Sequence, residues 1–330
     1  MNVVVQKYGG SSVENKEKLE KICDRIISYI KRKQKLVVVV SAQGKTTDNL
    51  ISKALEYSEN PNKRDLDMLL STGEMQTVSY LSMMLNDKGY KAIGLTGEQA
   101  GIISSSVYGN ARVDTIYIDN ILNYLKQDLI VIVAGFQAVD KLGNITTLGR
   151  GGSDLSAVAL ASVLKAKKCE IYTDVDGIYS SDPKIITKAK LLKKISYDEM
   201  IEAATAGAKV LHNRSVSVAK KHNLKIIVKN SGNNTYGSLV ENKVLPDKVE
   251  TSDIQFISKK DNLSKISIIG EMIMQNKDLL AIVFNIANEL NITIYMISFS
   301  EIALNILVDS DNAIKLMNKL NDTLVLKQKD

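Results

Sequence analysis

Residues 3–14 read Val-Val-Val-Gln-Lys-Tyr-Gly-Gly-Ser-Ser-Val-Glu: a β-branched run, a lysine, two glycines and a helix-start signature. Val3, Val4 and Val5 are apolar without alternation, as expected of a strand buried on both faces of a parallel sheet. Ser11 and Glu14 have the spacing of a capping box, which predicts a helix beginning there. Gly9 and Gly10 let the backbone approach a ligand closely, and Lys7 adds a full positive charge. Free N–H groups at a helix start favour an anion. The stretch reads as a phosphate cradle between strand and helix; an ordinary βα turn is the alternative these residues leave open.

Working outward, short β-rich runs alternate with helical patterns as far as about residue 230. This predicts an α/β fold with a mostly parallel sheet sandwiched by helices. Strands are expected at 2–7, 35–40, 90–95, 129–134, 169–173 and 224–228. Helices are expected at 14–33, 46–57, 64–87, 115–126, 153–167, 196–206 and 209–222. Polar residues and glycines between 229 and 252 mark the exit from this domain, so the chain divides at 1–245 and 246–330. The second part reads strand 264–270, helix 277–290, strands 292–298 and 302–308, and helix 311–321. That βαββα order is a small α+β unit.

Composition narrows the function classes. The 330 residues are 45% hydrophobic and 24% charged, a globular balance, and no apolar stretch approaches the roughly 20 residues a membrane span needs. No basic-then-apolar leader opens the chain, so a cytoplasmic location with no membrane partner is expected. The net charge of +6 is spread over 43 basic and 37 acidic residues. This suits anionic metabolites better than nucleic acid. The densest basic run, Lys31-Arg32-Lys33, is expected to be a solvated helix end. Cys23 and Cys169 lie in apolar, patterned segments and read as buried thiols. With only His212 and His222, neither a zinc site nor a serine-type triad is expected.

Gly44-Lys45-Thr46 is not a P-loop, because the glycine required five positions before Gly44 is Val39, inside a strand. Ser41, at the end of that strand, lies where ligands of open α/β sheets gather. Gly149-Arg150-Gly151-Gly152-Ser153-Asp154 is a second glycine-rich helix start, with a guanidinium suited to a carboxylate and an aspartate able to orient a lysine. Tyr172 to Pro183 follows another strand. Its Asp174, Asp176 and Gly177 lack the register of a calcium loop; it reads as a loop on the nucleotide side, with a polar surface turn as the alternative. Glu74, in Ser71-Thr72-Gly73-Glu74, is read as capping a helix start. A chain with neither a histidine base nor an activated cysteine suits phosphoryl transfer, and a carboxylate acceptor fits best because it is already ionised.

Together, Lys7 to Val13, Val39-Val40-Ser41-Ala42, Ser71 to Glu74, Gly149 to Asp154 and Thr173 to Tyr179 resemble the aspartokinases of the amino-acid kinase superfamily, over about residues 2–245. The resemblance implies ATP-dependent phosphorylation of the L-aspartate β-carboxylate to 4-phospho-L-aspartate, on the route to lysine, threonine and methionine. It implies catalytic roles for Lys7 and Asp154. Aspartate would be bound by Ser41, Thr47, Glu74, Arg150 and Ser153. The nucleotide would be held by Lys7, Gly9, Gly10, Ser11, Gly151, Gly152, Thr173, Asp174, Tyr179, Lys184 and Lys209. Mg2+ would arrive with ATP, without a dedicated protein metal site.

Residues 264–326, including Ile297-Ser298-Phe299-Ser300-Glu301, resemble one ACT domain where family members usually carry two in tandem. The loop in which relatives have a glycine-bearing turn reads Met274-Gln275-Asn276-Lys277-Asp278. The resemblance implies lysine or threonine as effector and a homodimer or higher homo-oligomer joined through this tail. No dehydrogenase segment follows Asp330, so a monofunctional enzyme is expected. Glutamate, acetylglutamate, carbamate and uridylate kinases share the first cradle. An inactive amino-acid sensor is the reading from a different class.

Overall fold

The computed structural model describes residues 2–233, 235–242, 257–270, 273, 276, 278–300 and 302–325. It divides into two compact units, Met1–Ser258 and Lys259–Asp330. The first opens with β1 (Val3–Tyr8), a 3-10 turn (Gly10–Ser12), α1 (Lys16–Lys31), β2 (Lys35–Val40), α2 (Thr46–Tyr57) and α3 (Lys63–Asp87). There follow β3 (Ala92–Leu95), β4 (Ile102–Ser104), β5 (Val113–Ile116), α4 (Asp119–Lys126), β6 (Ile130–Ala134), β7 (Gln137–Val139) and β8 (Ile145–Thr147). The rest is α5 (Gly152–Val163), β9 (Cys169–Thr173), β10 (Ile178–Tyr179), β11 (Leu191–Leu192), β12 (Lys194–Ser196), α6 (Tyr197–Thr205), α7 (Asn213–His222), β13 (Ile226–Asn230) and β14 (Ser238–Glu241).

Eight strands form the main sheet in the order β12-β14-β13-β9-β1-β2-β6-β3, parallel throughout except for the antiparallel β13–β14 pair. β2 and β6 lie inside it, which accounts for their unbroken apolar runs Leu36–Val40 and Ile130–Ala134. Alternate residues feed two cores. Val3, Val5, Val37, Val39, Val131 and Val133 pack with α4, α5, α6 and α7. Val4, Tyr8, Leu36, Val38, Ile130 and Ile132 pack with α1 and α3. Every residue of α5 from Gly152 to Ala161 is buried, so packing fixes where its N-terminus stands. Both cysteines are buried thiols.

Two local expectations are corrected. α1 begins at Lys16 rather than residue 14, capped by Asn15, whose Oδ1 accepts from the Lys18 N–H at 3.0 Å. Glu14 instead pairs with Lys18 Nζ at 2.6 Å. Ser11 lies in the 3-10 turn, where Gly9 O accepts from the N–H groups of Ser12 and Val13. Glu74 is in the middle of α3, not at a helix start.

The patterning also misses a second sheet, β5-β4-β7-β8. Its strands are three or four residues long, and β5 takes the start of the segment expected to be the helix 115–126. This sheet is anchored to α3 by the buried Asp67 carboxylate, which accepts from Gly109 N at 2.9 Å, Thr147 N at 2.7 Å and Thr147 Oγ1 at 2.8 Å.

The second unit runs β15 (Leu263–Ile269), α8 (Leu279–Glu289), β16 (Ile294–Ser300), β17 (Ala303–Asp309) and α9 (Ser310–Leu324), the βαββα order of the sequence pattern. Its sheet is antiparallel, β15-β17-β16. Leu304, Ile306 and Val308 of the central strand point to one face and pack with Val283 and Ile286 of α8 and Leu316 and Leu320 of α9. The division expected at 245/246 lies outside the described residues, as do Met274, Gln275, Lys277 and Glu301 of the quoted tail motifs.

Candidate active site

The C-terminal ends of β1, β2 and β6, the middle of α3 and the N-terminus of α5 surround one cavity of about 290 Å³. Lys7, Gly10, Ser41, Thr47, Glu74, Arg150, Gly151, Gly152, Ser153 and Asp154, all singled out in the sequence, line it. Its placement follows the rule for open α/β sheets, in which ligands bind beyond the strand carboxyl ends. The loop after β2 is drawn against the first cradle by a hydrogen bond from Gly44 N to Gly10 O at 3.1 Å.

Lys7, one residue from the end of β1, forms an ion pair in which Nζ stands 2.7 Å from Asp154 Oδ1, with each side chain only 12% exposed. A pair so shielded from water holds its geometry without a long flexible search. Asp154 lies in the first turn of α5, where the helix dipole favours its negative charge. Arg150 is exposed at the cavity wall, between two glycines of the loop.

Glu74 is 3% exposed, and its Oε1 accepts from Ala42 N at 3.0 Å. Its Oε2 is buried without a hydrogen-bond partner. Burial pushes this carboxyl up to about 7, against the lowering pull of the Ala42 N–H and the Lys7 charge. Oε2 is therefore an acceptor position that the protein's own groups leave unfilled.

The remaining expected residues do not line the cavity. Gly9 and Ser11 belong to the first turn, with Gly9 N donating to Tyr172 O at 3.2 Å. Thr173 ends β9 and Asp174 follows it; Thr173 O accepts from Ser231 N at 2.8 Å, and Asp174 O from Asn230 Nδ2 at 3.4 Å. Asp176 fastens the same loop to β13, accepting from the side-chain amides of Asn230 at 2.8 Å and Asn233 at 2.9 Å. Tyr179 sits in the β10–β11 hairpin. Lys184 lies in the loop between β10 and β11 and Lys209 between α6 and α7, both exposed.

The sequence reading missed Phe136 and the backbone of Ala42, both in the lining. Phe136 has φ of 68° and donates its N–H to Ser156 Oγ at 3.1 Å. The rule that singled out Ser41 after β2 would have found Phe136 after β6. Glu74's partner carried no such signal, because Ala42 is 32 residues away.

Among the described residues, no group of three or more His, Cys, Asp or Glu side chains is arranged to hold a metal ion. No helix among them is long and apolar enough to cross a membrane.

The model of the amino acid kinase family matches residues 2–230. Over 270 residues the chain is 46% identical to the aspartokinase of Geobacillus stearothermophilus, covering 82% of this chain and 66% of that protein. It thus spans slightly less than two thirds of that relative. Aspartokinase 2 of Bacillus subtilis is 35% identical over 403 residues, covering 99% of each. Among solved structures, Escherichia coli aspartokinase III in complex with lysine and aspartate superposes with a TM-score of 0.78 at 25% identity, covering 98% of this chain and 84% of that one.

Proposed function

The chain belongs to the amino acid kinase family, and from that premise we propose that it transfers the γ-phosphoryl group of ATP to the β-carboxylate of L-aspartate, giving 4-phospho-L-aspartate. The observation that carries this is the charge pattern of the cavity: a carboxylate with a spare oxygen, an exposed guanidinium and a lysine held on an aspartate, around about 290 Å³. An amino acid with a second carboxylate complements all three. Glu74 takes its ammonium, Arg150 grips its α-carboxylate through two parallel N–H bonds, and Ser41, Thr47 and Ser153 hydrogen-bond alongside.

The acceptor carboxylate is ionised at neutral pH and needs no general base. Catalysis then reduces to placement and charge neutralisation, and good placement alone recovers roughly 7–11 kcal/mol of barrier. Lys7 draws off charge building on the transferred oxygens, and Asp154 fixes where its ammonium stands. Gly9, Gly10, Ser11, Gly151 and Gly152 offer backbone to the phosphates; Thr173, Asp174, Tyr179, Lys184 and Lys209 flank the nucleoside. Magnesium would enter on the phosphates as Mg-ATP.

Residues 246–330 are read as an ACT-like unit that pairs two copies of the chain and takes lysine or threonine as effector. The three-stranded sheet supports pairing, because β16 is an edge strand with Met296 and Phe299 exposed. The site serves small anionic metabolites, with no nucleic-acid or membrane partner and the cytoplasm as its location.

The test is to incubate the protein with Mg-ATP, L-aspartate and hydroxylamine, which traps an acyl phosphate as a coloured hydroxamate, with and without lysine or threonine. Hydroxamate from aspartate but not from glutamate is the expected result. No product while ATP still binds would move the acceptor elsewhere in the family.

A further inference from the structure

Arg214 lies in the first turn of α7, a position that helix stability does not explain. That turn has no acidic residue, and the positive end of the helix dipole opposes a cation there. The side chain does not extend into solvent to escape the dipole. Its Nη1 donates to Leu148 O at 2.7 Å and to Asn110 Oδ1 at 2.9 Å, and its Nη2 donates to Ala111 O at 2.7 Å.

These three acceptors surround the base of the loop that carries Arg150. Leu148 is the buried residue immediately before Gly149. A Cβ on Gly149 would lie 2.9 Å from Asn110 Oδ1, the oxygen that Arg214 grips. On the other side, a Cβ on Gly151 would lie 2.5 Å from His212 Cβ, and Gly151 holds φ of 71°. His212 caps α7, with its Nδ1 accepting from Arg214 N at 3.4 Å. The glycine loop is thus clamped between Asn110 and His212, and Arg214 joins the two jaws, its guanidinium bonding Asn110 and its backbone N–H bonding His212. Only a planar fork of donors can meet three acceptors in this way; a lysine offers a single point charge.

We propose that Arg214 is a positioning residue: it sets the backbone of residues 149–152 so that Arg150 meets the substrate carboxylate in register. This rests on the assignment of Arg150 to that carboxylate. Arg214 does not touch the substrate and acts through the Leu148 carbonyl and Asn110.

The test measures hydroxamate kinetics and ATP binding by calorimetry for wild type, Arg214→Lys and Asn110→Ala. The expected result is an aspartate KM raised about tenfold in Arg214→Lys and about threefold in Asn110→Ala, a loss equivalent to one or two hydrogen bonds. ATP affinity should stay within twofold, a split that general loosening of the fold would not give. Asn110→Ala leaves the arginine in place, so it still reads the clamp if Arg214→Lys folds poorly. An unchanged aspartate KM in a folded variant, or equal losses toward ATP and aspartate, would overturn the role. A wild-type protein that makes no aspartyl hydroxamate would overturn the reading of Arg150 and this role with it. A wild type that makes it, beside variants of unchanged KM, would overturn the role of Arg214 alone.

Discussion

Lys7 Nζ and Asp154 Oδ1 stand 2.7 Å apart, joining the end of the central strand β1 to the first turn of the most buried helix, α5. Neither charge has much water to fall back on, so each is the other's main counter-charge.

Lys7→Met should therefore lower stability as well as activity. The unpaired Asp154 is expected to cost about 3 kcal/mol, the scale for breaking a shielded ion pair. The double variant with Asp154→Asn should regain most of that stability while kcat stays about 10³-fold down, because the charge neutralisation is gone. Chemical denaturation beside single-turnover assays separates the two effects; a double variant that regains activity would contradict the catalytic assignment.

Glu74 makes the site sensitive to pH. With its carboxyl pushed up to about 7 by burial, the ionised form that receives an ammonium is lost as pH falls below that value. Aspartate KM should climb between pH 8 and pH 6, and Glu74→Gln should have a high KM with little dependence on pH in this range. Stability should move the opposite way. The unfolded carboxyl ionises near its ordinary value and the folded one only near 7, so stability falls as pH rises from about 4.5 to about 7 and stays lower above that. Glu74→Gln is expected to be more stable than wild type by roughly 2 kcal/mol at pH 8 and to show no gain at pH 4.5. Melting curves at the two pH values check the sign.

Arg150→Ala should raise aspartate KM about a hundredfold, the worth of a bidentate charged contact, with ATP affinity within twofold. Equal damage to both substrates would place Arg150 elsewhere in the reaction.

Glu170 is fully buried and accepts from Gln6, Tyr29, Lys168, Tyr172 and Lys229. Lys229 and the Lys168 contact outweigh burial and hold its carboxyl down at about 2. A depressed folded value stabilises above the unfolded one and is lost as pH falls. Glu170→Gln should cost about 3 kcal/mol at pH 7, and the gap to wild type should close from about pH 4.5 toward pH 2. A gap that persists at pH 2 would assign the cost to packing.

The proposed pairing through the tail is checked by sedimentation at micromolar concentration, where the chain should run as a dimer and Phe299→Asp as a monomer. Phe299 lies on the edge strand β16, and a charge there opposes edge-to-edge pairing. A wild-type monomer would end the proposal.

The sequence was readable where the signal is local. The uniform valines of β1 and β2 announce a strand covered on both faces, and Arg150 stands between Gly149 and Gly151, which hold positive φ. It was unreadable where a contact joins distant segments or an element is too short for a period. Glu74 looked like a helix cap because its partner, Ala42, comes from another element. β4, β7 and β8 have three residues each, too few to establish alternation. Ser11 and Glu14 had capping-box spacing, yet Lys18 drew Glu14 away and left Asn15 as the cap.

Lys7 pairs with Val39 of β2 and Ile171 of β9 in the parallel ladders, while its neighbours Gln6 and Tyr8 point to the opposite face, where the Tyr8 ring stacks on Tyr172 at 4.7 Å. Because side chains alternate, a slip of one residue would send a tyrosine toward Asp154 and bury the ammonium among aromatic rings. Recovered turnover after refolding would then be a clock for correct alignment inside the main sheet, since compact chains that have closed one register out would look folded and do nothing.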